Sequence, residues 1–261
     1  ARALAGGTDV MVLWNAGLLN GRQVVDLSQV AAWRGVRAGR AALSVGALAT
    51  HAELLRHPAV RSGWPLLAAA CATVGGPQIQ ARGTLGGNIA NASPAGDTFP
   101  PLAVYEARVA TVSPEGRREL PIGEVFAGVK RTHLRPAELI EAVTLPRPPK
   151  PTRQLFRKVG TRAAQAISKT VAAGLLWLGR DGAVRELRFA LGSMAPTVRR
   201  LKAAEEWLRG RRLDRESVDK AVALLEEDVS PIDDVRSTRA YRLKVSQNLL
   251  RAFLEGRLAD R

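Results

Sequence analysis

Up to about residue 145 the apolar positions come in short runs punctuated by Gly, Pro, Asn and Asp, the rhythm of brief strands and helices packed as an α/β unit. An apolar start leads into a glycine loop, residues 9–14 predict a short helix, and the β-branched stretches 23–27 and 42–46 predict strands. Thr50 suits the N-cap of a helix over 51–55, with Glu53 in its first turn, and Pro65 opens another helix carrying Leu66, Leu67, Ala69 and Ala70. Ala103-Val104-Tyr105, residues 107–112, a Ser113-Pro114-Glu115-Gly116 turn and residues 117–120 together predict a hairpin, and 138–145 a further strand.

Proline at 146, 148, 149 and 151 then stiffens the chain, which places a domain boundary between 1–147 and 148–261. Beyond it, 155–159, 167–178 and 184–191 read as antiparallel strands, with Asp181-Gly182 as a tight turn. The apolar period next lengthens to the helical one at Leu201, Ala204, Trp207 and Leu208, at Val218, Val222, Leu224 and Leu225, and at Leu243, Leu249, Leu250, Phe253 and Leu254. The expected fold is α+β. A two-part first domain, a small α/β subdomain plus an antiparallel-sheet subdomain, precedes a three-stranded antiparallel sheet with helices.

At 261 residues and 46% apolar content the chain can fill two modest cores. No apolar run approaches a membrane span, and no leader is evident, so a cytoplasmic location is expected. The glycine loop lies so close to Ala1 that further N-terminal residues are expected to precede it. Cys71, the single cysteine, forms no internal disulfide and holds no iron–sulfur cluster, and His51, His57 and His133 are scattered, which suits exposed or locally bonded side chains better than a metal. A formal charge of +15 raises nucleic acid as a partner. Its spread along the chain, with only seven lysines among 39 basic residues and 5% aromatics, disfavours that partner; a docking face for an acidic protein accounts for the charge equally well.

The chemistry lies in two glycine pairs, Gly6-Gly7 and Gly86-Gly87. Each joins an apolar run to small polar residues, Thr8-Asp9 and Thr84 with Asn88. Without a Cβ, backbone N–H groups can turn onto an anion, so the pairs suit the two halves of a diphosphate cradle. Neither fits the three spaced glycines of a dinucleotide fold or the Lys-Ser/Thr of a P-loop. No nucleophile with its base, no paired acid and base, and no metal cluster is legible, so no catalytic residue is assigned.

Ala5-Gly6-Gly7-Thr8-Asp9, then Gly75-Gly76-Pro77-Gln78-Ile79, then the run from Arg82-Gly83-Thr84-Leu85-Gly86-Gly87-Asn88 to Ser93-Pro94-Ala95-Gly96-Asp97 resemble the FAD-binding medium subunit of molybdenum hydroxylases, the xanthine dehydrogenase branch first and the carbon monoxide dehydrogenase type beside it. The resemblance continues through Phe156-Arg157-Lys158, Gly192-Ser193-Met194-Ala195-Pro196 and Asp234-Val235-Arg236-Ser237 with Tyr241-Arg242. It implies that Ala3, Leu4, Ala5, Gly6, Gly7, Thr8, Asp9 and Val10 wrap the FAD diphosphate. Thr84, Leu85, Gly86, Gly87 and Asn88 meet the same phosphates and the ribityl chain. Asp97 contacts the adenosine end, Ile140 and Lys158 supply an apolar and a basic contact, and Val74 lines the pocket.

The resemblance further implies an oxidoreductase assembled from several chains. A large subunit carries the molybdenum cofactor, a small one carries [2Fe–2S] clusters, and FAD in this chain passes electrons to NAD or another acceptor. Xanthine or a related purine is the first expectation for the molecule oxidised; carbon monoxide, an aldehyde or nicotinate is the alternative. A basic nucleic-acid-binding module is the competing reading from another class.

Overall fold

The computed structural model describes residues 1–163 and 165–258. The chain divides into two compact units, one formed by Ala1–Ser93 with Glu106–Arg147, the other by Pro94–Tyr105 with everything from Pro148 onward.

Among the described residues of the first unit, two of the three sheets shape the glycine segments' surroundings. A two-stranded parallel pair, Arg2–Leu4 beside Val24–Asp26, delivers the chain into the first glycine loop. A five-stranded antiparallel sheet runs in the order Val36–Ala38, Ala42–Gly46, Leu139–Pro146, Arg108–Ser113, Gly116–Pro121. Leu43 and Val45 point into the core on the strict alternation of their strand. The central strand breaks that alternation. Its register against Arg108–Ser113 slips between Ala110 and Thr111, leaving Glu141 without an opposite residue, so Ile140 and Val143 both face inward although they are three apart.

The Glu141 carbonyl accepts the Ala47 N–H at 2.9 Å, and the Ala47 carbonyl accepts that of Gly86 at 2.9 Å. This relay ties the sheet to the helix carrying the second glycine pair. Helix His51–Arg56 opens on a reciprocal cap: Glu53 N–H donates to Thr50 Oγ1 at 3.2 Å, and Thr50 N–H donates to Glu53 Oε2 at 2.6 Å. Helix Pro65–Thr73 is apolar nearly all round and buries Leu66, Leu67, Ala68, Ala70 and Cys71. Trp64, at its start, is fully buried, with its indole N–H on the Pro146 carbonyl and the Arg147 guanidinium 4.4 Å from its ring centre.

The second unit is built on the antiparallel strands Arg153–Val159, Thr170–Leu178 and Val184–Gly192, with a fourth, two-residue strand, Arg199–Arg200, extending the expected three. Thr170–Leu178 is buried along both faces. Helices Lys202–Leu208, Arg215–Asp228 and Arg239–Leu254 fill a core with Leu176, Leu187, Phe189 and Phe253. Phe99–Val104 also packs on the two central strands, and here the structure corrects the sequence reading: Ala103 and Val104 end a helix, not a strand. Pro100 and Pro101 fall in that helix's first turn, where a missing N–H costs nothing.

Asp234-Val235-Arg236-Ser237 forms a tight turn locked by Asp234 Oδ1, which accepts from the backbone of Arg236 and Ser237 and from the buried Arg242 guanidinium. Burial opposes ionisation of Asp234, yet these donors together hold its carboxyl below the ordinary carboxylate range.

Candidate functional site: a cleft between two glycine segments

Strand Arg2–Leu4 ends in Gly6-Gly7, and the loop is pressed against the backbone before the second glycine pair. A Cβ on Gly6 would stand 1.7 Å from the Arg82 carbonyl oxygen, so only glycine permits this approach. Gly7 turns the chain with φ of 81°, in the left-handed region. The loop carbonyls are used, Gly7 accepting from Met11 and Asp9 from Leu13. The N–H groups of Gly6, Gly7, Thr8 and Asp9 reach no acceptor among the described residues. Four successive donors left open beside a cleft make an anion-binding concavity.

The second pair is built differently. Gly86 and Gly87 lie inside helix Leu85–Asn91, whose N-cap Thr84 accepts the Gly87 N–H on Oγ1 at 3.0 Å. Leu85 N–H goes to the Ala49 carbonyl at 3.0 Å, Gly86 N–H to Ala47 and Asn88 N–H to the Thr84 carbonyl at 2.9 Å. Every backbone donor from Leu85 to Asn88 is therefore committed to protein. The two pairs are not equivalent halves of a cradle: the first supplies donors, and the second allows close packing. A Cβ on Gly86 would lie 2.6 Å from that of Ala47.

Between them opens a cavity of about 270 Å³. That is just below the ~300 Å³ at which sites enclosing drug-sized ligands begin. Leu27, Leu48, Val74, Ile79, Leu139 and Ile140 give it apolar walls. Lys130 ties its two sides together, donating from Nζ to Asn91 Oδ1 at 2.5 Å and to Asp9 Oδ1 at 3.3 Å.

Glu138, also in the wall, is held by Arg118 at 2.5 and 2.7 Å, by the Thr111 hydroxyl at 2.5 Å and by the Arg135 N–H at 2.6 Å. The Arg118 hydrogen bonds foremost, against the opposing effect of burial, pull its pKa down to about 2. It is a fixed carboxylate bracing the wall, with its lone pairs already occupied.

Ala3, Ala5, Gly6, Gly7, Thr8, Asp9, Val10, Val74, Thr84, Gly86, Gly87, Asn88 and Ile140 all line this cavity. Leu4 and Leu85 are not in its lining, and Leu85 is fully buried. Asp97 and Lys158 belong to the second unit, where they bind each other at 2.6 Å with both side chains largely buried. Sequence reasoning missed Lys130, Glu138 and His51. His51 is not exposed: it is buried in the cavity wall, with Nδ1 3.6 Å from Cys71 Sγ. Only the Thr50 cap, which fixes where its helix begins, gave a hint of its place.

Residues 1–148 match the family of the FAD binding domain in molybdopterin dehydrogenase, and residues 155–256 match the C-terminal domain of CO dehydrogenase flavoprotein. The chain is 30% identical to the xanthine dehydrogenase FAD-binding subunit of Escherichia coli O157:H7, over 99% of this chain and 89% of that protein. It is 29% identical to the carbon monoxide dehydrogenase medium chain of Afipia carboxidovorans, over 98% and 88%. Among solved structures, the cyanide-inactivated Cu,Mo-CO dehydrogenase superposes with a TM-score of 0.91 at 28% identity, covering 97% of this chain and 88% of that one. Quinoline 2-oxidoreductase from Pseudomonas putida 86 gives 0.89 at 25% identity, covering 98% and 88%.

Proposed function

Because the chain belongs to the family of FAD-binding domains of molybdopterin dehydrogenases, we propose that it is the electron-transfer subunit of a molybdenum hydroxylase, with its FAD seated on the first glycine loop. The carrying observation is the run of four open N–H donors, Gly6 to Asp9, in a loop that lines the same cavity as the glycine helix. These donors, with the Thr8 hydroxyl, hold the diphosphate; Val74 and Ile140 cover an apolar part of the cofactor; Thr84 and Asn88 bound the opposite side. Leu4 and Leu85 support the two segments from behind. Asp97 and Lys158 enter the proposal on family resemblance.

Bound FAD supplies one- and two-electron redox chemistry, which suits a relay between a [2Fe–2S] partner subunit and an acceptor such as NAD. The chain's own part is to bind, orient and shield the cofactor. Xanthine or another purine is the first choice for the molecule oxidised at the molybdenum subunit, supported by similarity to the Escherichia coli subunit. Similarity to a carbon monoxide dehydrogenase chain and to the nicotinate dehydrogenase FAD-subunit of Eubacterium barkeri keeps those substrates as the alternative. The proposal takes 1–147 as the flavin domain, 148–261 as the C-terminal domain, and a cytoplasmic location, in keeping with a sole cysteine.

Purified chain should be yellow, release FAD on denaturation, and after stripping rebind FAD. A colourless chain that takes up no FAD yet retards DNA at physiological salt would replace this reading with the nucleic-acid one. Turnover of xanthine, carbon monoxide and nicotinate by the reassembled complex, with and without NAD, then decides substrate and acceptor.

A further inference from the structure

Behind the cleft, His51 and Cys71 form a buried pair that the binding role of the glycine segments does not explain. His51 is the first residue of its helix, 2% exposed, and its backbone N–H donates to the Gly83 carbonyl at 3.0 Å. Its ring stands where the two glycine segments meet: the position a Cβ on Gly83 would take lies 3.2 Å from His51 Cδ2 and 3.4 Å from Thr8 Oγ1. Nδ1 is engaged from the rear by Cys71 Sγ, leaving Nε2 as the ring's remaining polar atom in the cavity wall.

Resting on the FAD reading above, we propose that His51 is a cofactor-binding residue: a neutral Nε2–H donor to the diphosphate, with its tautomer set by the Cys71 thiol.

Two properties of the pair support this. Burial pulls the His51 pKa down to about 4, so the ring is uncharged at neutral pH. Burial pushes the Cys71 thiol far up, so the sulfur keeps its proton and, in the proposed arrangement, offers it to Nδ1 across 3.6 Å. An imidazole whose Nδ1 accepts must carry its own proton on Nε2. The donor thereby sits in the wall of the cavity that Gly6 to Asp9 also line, and as a neutral ring it adds no buried cation there. A thiol that donates here fixes the tautomer opposite to the one selected by a carbonyl or carboxylate, which accepts from Nδ1–H.

The test uses the full chain stripped of flavin, titrated with FAD and, separately, with ADP, which carries a diphosphate but no flavin ring. His51→Leu should weaken FAD and ADP by the same factor, about 10- to 100-fold, as expected for a lost charge-assisted hydrogen bond. His51→Gln, which places an amide N–H near Nε2, should recover most of that loss, and Cys71→Ala should fall between. Nitrogen-15 spectra of the histidine ring should show the Nε2–H tautomer without ligand and a shift of Nε2 on adding ADP.

Unchanged binding in His51→Leu, a loss confined to FAD with ADP unaffected, or an Nδ1–H tautomer would overturn the assignment. If His51→Leu does not melt cooperatively, the Gln and Ala variants and the wild-type spectra still decide it. Wild-type chain that fails to take FAD defeats the underlying reading; wild-type chain that binds normally beside unaffected variants defeats only this inference.

Discussion

Replacing Gly6 with Ala tests whether the contact between the glycine segments creates the binding site. The new Cβ would lie 1.7 Å from the Arg82 carbonyl oxygen and 2.5 Å from its carbon, against a floor of 3.0 Å for real Cβ contacts. The backbones must therefore part by at least 1.3 Å, the difference between 3.0 and 1.7 Å. Arg82-Gly83 has little room to give, because Gly83 N–H is held by the Ile79 carbonyl at 2.6 Å and the Gly83 carbonyl by His51 N–H at 3.0 Å. The first loop has to move, and a donor displaced by that much leaves hydrogen-bond range, whose window is only about half an ångström wide.

Losing two charge-assisted bonds to phosphate at roughly 1.5–3 kcal/mol each lowers FAD affinity by about two to four orders of magnitude. Overpacking itself costs the apo fold about 1–3 kcal/mol. Titration of stripped protein by flavin fluorescence reads the first effect, and urea unfolding of the apo form reads the second. Gly7→Ala is the matched control. Its Cβ meets nothing nearer than 3.5 Å, but the residue sits at φ of 81°, so the cost is strain alone, about 1–2 kcal/mol, with the loop left in place. FAD affinity in Gly6→Ala within threefold of wild type, or equal losses in both variants, would refute the idea that close approach of the two segments aims the donors.

Glu138→Gln should alter the acid stability profile. The folded carboxyl, at about 2 against 4.5, contributes stability that is full above pH 4.5 and lost as pH falls towards 2, worth about 3 kcal/mol. Urea midpoints against pH should thus fall more steeply for wild type than for the variant, and parallel profiles would contradict the ion-pair account. Lys130→Met cuts the link between Asp9 and Asn91; with the lysine half exposed, FAD affinity should drop only a few-fold, with little change in melting temperature. A large fall in melting temperature would instead make Lys130 a fold residue. Thr84→Val removes the cap of the glycine helix and should cost about 1 kcal/mol, seen as faster amide exchange at Gly87 than at the Ile89 amide deeper in the helix.

The elements most legible in the sequence are those whose physics is local. The strand at 42–46 and the N-cap Thr50 with Glu53 in its first turn depend on neighbours a few residues apart, and the structure realises both, adding the reciprocal bond from Thr50 N–H to Glu53. One apolar stretch misleads, and the detail of another stays hidden, because their partners are distant. Ala103 and Val104 carry strand-forming character, but Pro100 and Pro101 start a helix that two strands from the far side of the sequence bury. The bulge at Glu141 depends on register with residues some thirty positions earlier, so nothing in the run 138–145 says that Ile140 and Val143 share a face.

The cleft shows the same division. Glycine pairs announce close approach, and both cleft segments were found by them. What each pair does with its N–H groups depends on whether the chain around it is helical. Thr84 three residues before Gly87 is the one local sign of a cap, and it changes the second segment from a donor to a floor. Lys130 reaches Asp9 across 121 residues and carries no motif. His51 carries none either, since a histidine at a helix start is ordinarily a surface residue. It becomes a candidate donor only when Cys71, twenty residues on, is seen to occupy the ring's other nitrogen.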